Sequence, residues 1–442
     1  MDVAVDEKCW IDKLPNEIVK QIMELLVTFE REYRPELSEY NPIDSRDLRA
    51  LTSAWPSCRP LAQQLYYAKL HIRNFRNNGE ELALGSRNLY GPGGRPNHHI
   101  EGTKSLCSAL ETKQNPGSLC QQVRISLTNM YPKGYEPSSD TELLAKMLDM
   151  LSNAEKLCID KQHQSAWQKP ERMWDGLLRR AGSMENLKQA SLSFIHSEIE
   201  LEEVLDLQWG PNMKKLQLRG HIGVANKKRF QKFRGQNISS LSLDISTTNP
   251  TKSEIFKHWA TALEEVSFYR QDDYFGGSPP DLDRHIPTLR VFELKCFQWP
   301  DIEIYRAGMY DFSMFTALED LKVHGEILRG GRDDRGPFTE HEARCVLGAP
   351  KLRKFTWCLP LSWWKDSWGA EVRWLRGLAQ AAAEGNTLLR EMRVELDVKS
   401  WDPRSQKKGW RPLLNLRDEL EILNRECGGR IVVSHNLGGI KA

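Results

Sequence analysis

The fold is decided by MKKLQLR (213–219) and by ISSLSLD (238–244), which starts 25 residues later. Each stretch places bulky apolar residues at its first, fourth and sixth positions. The closing alternation, Leu216/Leu218 and Leu241/Leu243, has the two-residue period of a strand with one buried face. The same spacing recurs at Leu187/Ala190/Leu192, Leu263/Val266/Phe268 and Leu289/Phe292/Leu294. It continues at Leu318/Leu321/Val323, Leu352/Phe355/Trp357 and Leu389/Met392/Val394. From Leu187 onward the starts differ by 26, 25, 25, 26, 29, 34 and 37 residues. Weaker copies stand upstream at Cys120/Val123/Ile125 and Ala154/Leu157/Ile159, and RIVVSH (430–435) is a last strand-like run. So regular a period means an array of like units, each burying its apolar side only when stacked on a neighbour.

The intervening segments are compatible with helices. Ser139-x-x-Glu142, Thr251-x-x-Glu254 and Thr339-x-x-Glu342 each precede an apolar run, the pattern of a capping box. One strand and one helix per unit predict an α/β solenoid, a horseshoe with parallel strands on its concave face. In that register the strand residues between the apolar ones point outward on the concave face. They include Lys215, Arg219, Glu265, Tyr269, Glu293, Lys295, Lys322, His324 and Arg393. The set is polar and mixed in sign, without an acid–base pair in an apolar pocket, and suits recognition of a protein or peptide. Two segments depart from the regular pattern. RGGRDDRGP (329–337) reads as an exposed loop between lengthened repeats. WCLPLSWWKDSWGAEVRW (357–374) holds five of the fourteen tryptophans. Trp364, Trp368, Val372 and Leu375 share one helix face, and Trp363 and Trp374 lie on another. Core packing is the expected role of these tryptophans, with partner anchoring the alternative.

The N-terminal stretch KLPNEIVKQIMELL (13–26) differs from the array. Pro15 suits the first position of a helix, but Leu14 occupies the cap, where Ser, Thr, Asp or Asn is preferred. A leucine there is present for what it touches. Leu14, Ile18, Ile22, Leu25 and Leu26 fall on one helix face, and a polar loop follows. Residues 47–72 then carry Leu48, Leu51, Trp55, Leu61, Leu65, Tyr66 and Leu70 at helical intervals, broken by Pro56 and Pro60. Two or three short helices bury little apolar surface alone, so part of it is expected to meet something else.

The chain has 442 residues, 40% hydrophobic and 28% charged, with a net charge of +2. That composition supports a sizeable core, and the balanced charge gives no electrostatic footprint for nucleic acid or an anionic membrane. Nine cysteines without a CxxC pair read as reduced thiols of an intracellular protein, cytoplasmic or nuclear. The acidic start MDVAVDEKCW does not read as a secretory signal, and no apolar run is long enough for a transmembrane helix. No phosphate-binding, zinc-protease, hydrolase or dinucleotide motif is present. LYGPGGRPNHH (89–99) carries glycines and the pair His98/His99, but Pro92 and Pro96 remove N–H groups that a phosphate cradle needs. It reads as a loop, as does FGGSPPD (275–281). No cofactor, metal or catalytic residue is expected.

The pattern Leu14-Pro15, Glu17-Ile18, Ile22, Leu25-Leu26, Asp47-Leu48, Leu51 and Leu61-Ala62…Leu65-Tyr66 resembles an F-box of the style common in fungal proteins. Cys58 stands where that family usually carries an aromatic residue. The resemblance implies an F-box-like helical module over 12–72 that docks on a Skp-family adaptor of a cullin–RING ubiquitin ligase. Its adaptor contacts would come from Leu14, Pro15, Ile18, Ile22, Leu25, Leu48 and Leu51. Residues 73–118 would form a linker and first repeat cap. Residues 119–442 resemble the irregular leucine-rich-repeat solenoid of such proteins, although the usual Asn or Cys after the last leucine is replaced by His221, Ser246, Gln271 and Phe297. The expected function is substrate recognition for an SCF-type ligase, with an unidentified protein target. A leucine-rich-repeat scaffold whose N-terminal helices are only a cap is the alternative. An enzyme or small-ligand binder using His98/His99 is a third reading.

Overall fold

A computed structural model describes residues 15, 17–21, 58–74, 106–112, 116–128, 138–162, 171–200, 204, 207, 209–223, 237–246, 259, 262–270, 282–296, 311–324, 338–360, 369–385, 387–397 and 406–436. They divide into two compact units. The first is 1–197 with 207–213, and the second is 198–206 with 214–442.

The first unit holds strands β1 (Lys69–Asn74), β2 (Gln122–Thr128), β3 (Lys156–Gln162) and most of β4 (Gln189–Glu200). All pair in parallel, in chain order. Their register aligns Leu70, Val123, Leu157 and Ala190 in one buried row and Ile72, Ile125, Ile159 and Leu192 in the next. Helix α1 (Arg59–Ala68) precedes β1, α2 (Ser138–Met150) joins β2 to β3, and α3 (Glu171–Gly182) joins β3 to β4. In α2 the buried residues are Leu144, Met147 and Leu148, with Leu151 just beyond, the i, i+3, i+4, i+7 stripe of a helix packed on a core. Arg179 and Arg180 end α3, where cations favour the negative end of the helix dipole.

The second unit contains β5 (Lys215–Gly223), β6 (Ser240–Ser246), β7 (Glu265–Arg270), β8 (Val291–Cys296), β9 (Asp320–His324), β10 (Lys354–Pro360), β11 (Glu391–Asp397) and β12 (Val432–Asn436). Every pairing is parallel and joins consecutive strands. A doubly wound sheet would reorder its strands. Sequential order, one strand per repeat, gives a solenoid-like α/β arrangement. The register stacks Leu216, Leu241, Val266, Phe292, Leu321, Phe355, Met392 and Val433 across the eight strands, all buried. Leu218, Leu243, Phe268, Leu294, Val323, Trp357 and Val394 form the adjacent row. Helices α4 (Glu340–Leu347), α5 (Gly369–Glu384) and α6 (Gln406–Glu426) link the last four strands. Trp374 of α5 lies 4.4 Å, centroid to centroid, from Trp357 of β10, so α5 covers the apolar face. Trp374 is therefore core, as are Val372 and Leu375, while Trp363, Trp364 and Trp368 lie outside the described residues.

Local signals are met unevenly. Thr339 and Glu342 form a complete capping box at α4. Helix α2 begins at Ser138, so Ser139 lies inside it rather than capping it; Thr251 and Glu254 are outside the described residues. The helical spacing through Leu70 stops early. Lys69 turns to φ −134° and ψ 108°, and the chain becomes β1 because its backbone pairs with β2.

Several repeats carry an Asn at their start rather than at their end. Asn153, Asn186 and Asn212 each stand one position before a repeat's first apolar residue. Asn153 Nδ2 donates to Ser118 O at 3.1 Å, Asn186 to Ser152 O at 3.3 Å and Asn212 to Glu185 O at 2.9 Å. Each satisfies a turn carbonyl of the preceding unit. In the second unit Thr288, at the same position, donates to Leu263 O at 2.8 Å.

Candidate functional site

The expected recognition residues fall on the sheet face opposite the apolar rows. Lys215, Ser240 and Glu265 are aligned on β5, β6 and β7. Lys215 Nζ lies 2.7 Å from Glu265 Oε2, and the Ser240 hydroxyl donates to the same oxygen at 2.9 Å. Burial raises the Glu265 carboxyl, but these two hydrogen bonds and the Lys215 charge outweigh it and hold the group below its ordinary value. Arg219 Nε pairs at 3.1 Å with Asp244, whose side chain is almost wholly buried. Lys322 Nζ stands 3.2 Å from Glu293 and 2.5 Å from Glu395, and Ser267 donates to Glu293 at 2.6 Å. Arg393 Nε contacts Glu395 at 3.1 Å, and Lys354 lies 3.6 Å from Asp320. Burial raises the Asp320 carboxyl, with the Lys354 charge opposing.

The face is thus a set of ion pairs, most of them cross-strand, rather than a row of independent charges. Lys322 of β9 reaches Glu395 of β11 across β10, between Thr356 and Cys358 by register. Both β10 residues are 2% exposed. His324, expected on the open face, is buried with them at 1% exposure beside its register partner Cys358. It is a correction to the open-face reading: His324 has the outward strand position without outward access. Tyr269 and Lys295 take their strand positions on β7 and β8. Asp244 and Glu395 were missed by the sequence reading, although one further step of the alternation beyond Ser242 and Arg393 reaches each.

Among the adaptor candidates, Pro15 and Ile18 are described and both are exposed, with residues 17–21 helical and Val19 buried at 3%. Leu14, Ile22, Leu25, Leu48 and Leu51 lie outside the described residues, as do His98/His99 and the loops 89–99, 275–281 and 329–337. Cys58 is buried immediately before α1, and burial raises its thiol.

Buried thiols are ordinary core residues here. Burial pushes Cys120 and Cys158 up to about 12, far from the thiolate needed for nucleophilic work. Among the described residues, no group of three or more His, Cys, Asp or Glu could hold a metal ion. No helix among them is long and apolar enough to cross a membrane. No model of a known protein family matches the chain, and no curated protein matches it.

Proposed function

We propose that the chain is the substrate-recognition subunit of an SCF-type ubiquitin ligase, an F-box protein with irregular leucine-rich repeats. Its N-terminal helices would hold a Skp-family adaptor and its polar strand face a target protein. Its contribution would be binding and positioning rather than catalysis. The observation that carries the adaptor half is the pair Pro15 and Ile18. Ile18 is 40% exposed on a helical turn whose neighbour Val19 is buried, so an apolar side chain is turned outward on the turn that Pro15 opens. The target half is supported by the ion-paired face, whose mixed signs favour a complementary protein surface over a uniformly charged polymer.

Co-expression with a Skp-family adaptor tests this. The wild-type chain should co-purify with it, and Leu14→Asp with Ile18→Asp should abolish capture while leaving the thermal melt in place. A folded wild-type chain that captures no adaptor overturns the proposal.

One observation favours the scaffold reading. Helix α1 runs directly into β1, which pairs with β2, so part of the helical module is continuous with the first unit's sheet. A module serving only as a cap would unfold in the same double variant.

A further inference from the structure

The residue that follows each repeat's first apolar position lies at the rim where a turn enters its strand. Before β8, β9, β10 and β11 this row reads Arg290, Glu319, Arg353 and Arg390. Backbone hydrogen bonds make them neighbours. Glu319 N–H donates to Arg290 O at 2.8 Å, Arg353 N–H to Glu319 O at 2.9 Å and Arg390 N–H to Arg353 O at 2.8 Å. The first two side chains neutralise one another: Arg290 donates Nε to Glu319 Oε1 at 3.2 Å and Nη2 to Oε2 at 3.1 Å. Arg353 and Arg390 follow on adjacent backbones, ~4.8 Å apart, without such an acid.

The turns that carry them add to the charge. Segments 348–353, 385–390 and 427–432 lead into β10, β11 and β12. They hold Lys351, Arg353, Arg390 and Arg430 and no acidic residue. Four positive charges thus gather on three turns of a chain whose net charge is only +2. All four residues are exposed. Among the described residues none of them has an ion pair, and Arg390 donates only to the Leu389 carbonyl at 3.4 Å. Glu391, next along the chain, belongs to the polar strand face, in register with Lys354. Like charges held close without counter-charges repel, and an anion laid across them relieves the repulsion.

The chemistry of the rim favours a peptide as the source of that anion. Three of the four cations are arginines, whose fork takes a carboxylate in two parallel hydrogen bonds. Leu388, 44% exposed and two residues before Arg390, offers an apolar contact beside them. The three turns contain no aromatic residue on which nucleobases could stack. Two inter-strand steps span about 10 Å, the reach of a few peptide side chains rather than of a long run of phosphates.

We propose that the rim of the last three repeats binds an acidic segment of a partner protein. Arg353 and Arg390 would clamp its Asp or Glu carboxylates, and Leu388 would meet an apolar side chain next to them. This surface is separate from the polar strand face and from the adaptor contacts.

The test is selection of a random-sequence peptide library on the immobilised full chain, after removal of peptides that also bind Arg353→Gln with Arg390→Gln. The peptides kept by the wild type should be rich in Asp or Glu with an adjoining apolar residue. On titration they should bind the double variant about tenfold or more weakly, and their affinity should fall with added salt. The variant's melting temperature should not drop, because both side chains are exposed and without an ion pair. No adaptor is present, so failure here leaves the ligase reading standing. The proposal is overturned if no acidic peptide is enriched, or if variant and wild type bind the enriched peptides equally. It is also overturned if single-stranded RNA or phosphatidylserine vesicles bind the wild type more tightly than those peptides and lose binding in the same variant.

Discussion

Glu342 and Trp374 share one hydrogen bond that ties two helices together. The Trp374 indole N–H donates to Glu342 Oε1 at 3.1 Å, while Glu342 Oε2 accepts the Thr339 backbone N–H at 2.7 Å. The same carboxylate thus caps α4 and satisfies a buried tryptophan of α5. Thr339→Ala should cost about 1 kcal/mol as a lost cap. Glu342→Ala should cost more, about 2–3 kcal/mol, because it also leaves the buried indole N–H without its acceptor. Urea denaturation gives both values, and a changed near-ultraviolet dichroism for Glu342→Ala alone would mark the tryptophan's share.

The lysine bridging β9 and β11 should also be visible in stability. Lys322 lies between Glu293 and Glu395 and is 23% exposed. Lys322→Met leaves the two carboxylates without the cation between them, at a cost of about 1–2 kcal/mol, between the values for exposed and buried pairs. Adding Glu395→Gln should recover part of that loss in the same denaturation experiment. No recovery would mean that the lysine contributes through packing.

Two carboxylates of the same face should respond to acid in opposite senses. Glu265 is held below its ordinary value of 4.5, so the stability it contributes is present above that value and lost as pH falls through its folded value. Asp320 is raised above 3.8, so it opposes folding at neutral pH and is relieved as pH falls through its folded value. Glu265→Gln should flatten the acid limb of a stability–pH curve, whereas Asp320→Asn should be neutral or slightly stabilising at pH 7. Both groups are partly exposed, so each effect should stay below about 1 kcal/mol.

The repeat rows were legible in the sequence for a physical reason. Met213, Ile238, Leu263, Leu289, Leu318, Leu352 and Leu389 open their repeats, and all seven are buried. A strand with one covered face must alternate, and a stacked array must repeat, so both constraints are written into residue type. The β1 strand was not legible because Leu61, Leu65 and Leu70 continue a helical spacing, and only pairing with β2 ends it. Burial of His324 was hidden because alternation gives the side of the sheet but not what lies over it. The asparagine row was missed because Asn153, Asn186 and Asn212 precede their repeats, while the familiar position follows the last leucine.

Thiol chemistry gives an independent check on the packing. Burial raises the thiols of Cys58, Cys107, Cys120, Cys158, Cys345 and Cys427. At pH 7–8 a thiol reagent should modify these positions in the native chain far more slowly than in urea, with half-exposed Cys427 the first to react. Peptide mapping by mass spectrometry orders the sites. Fast native modification of Cys120 or Cys158 would contradict the buried rows.

Calorimetric titration of the purified full chain with a purified Skp-family adaptor tests the functional proposal most directly. Saturable one-to-one binding that disappears on Ile18→Asp, with the variant's melt unchanged, is the predicted result. A folded wild-type chain that releases no binding heat at concentrations of about 100 μM, where even a weak complex would form, would contradict it.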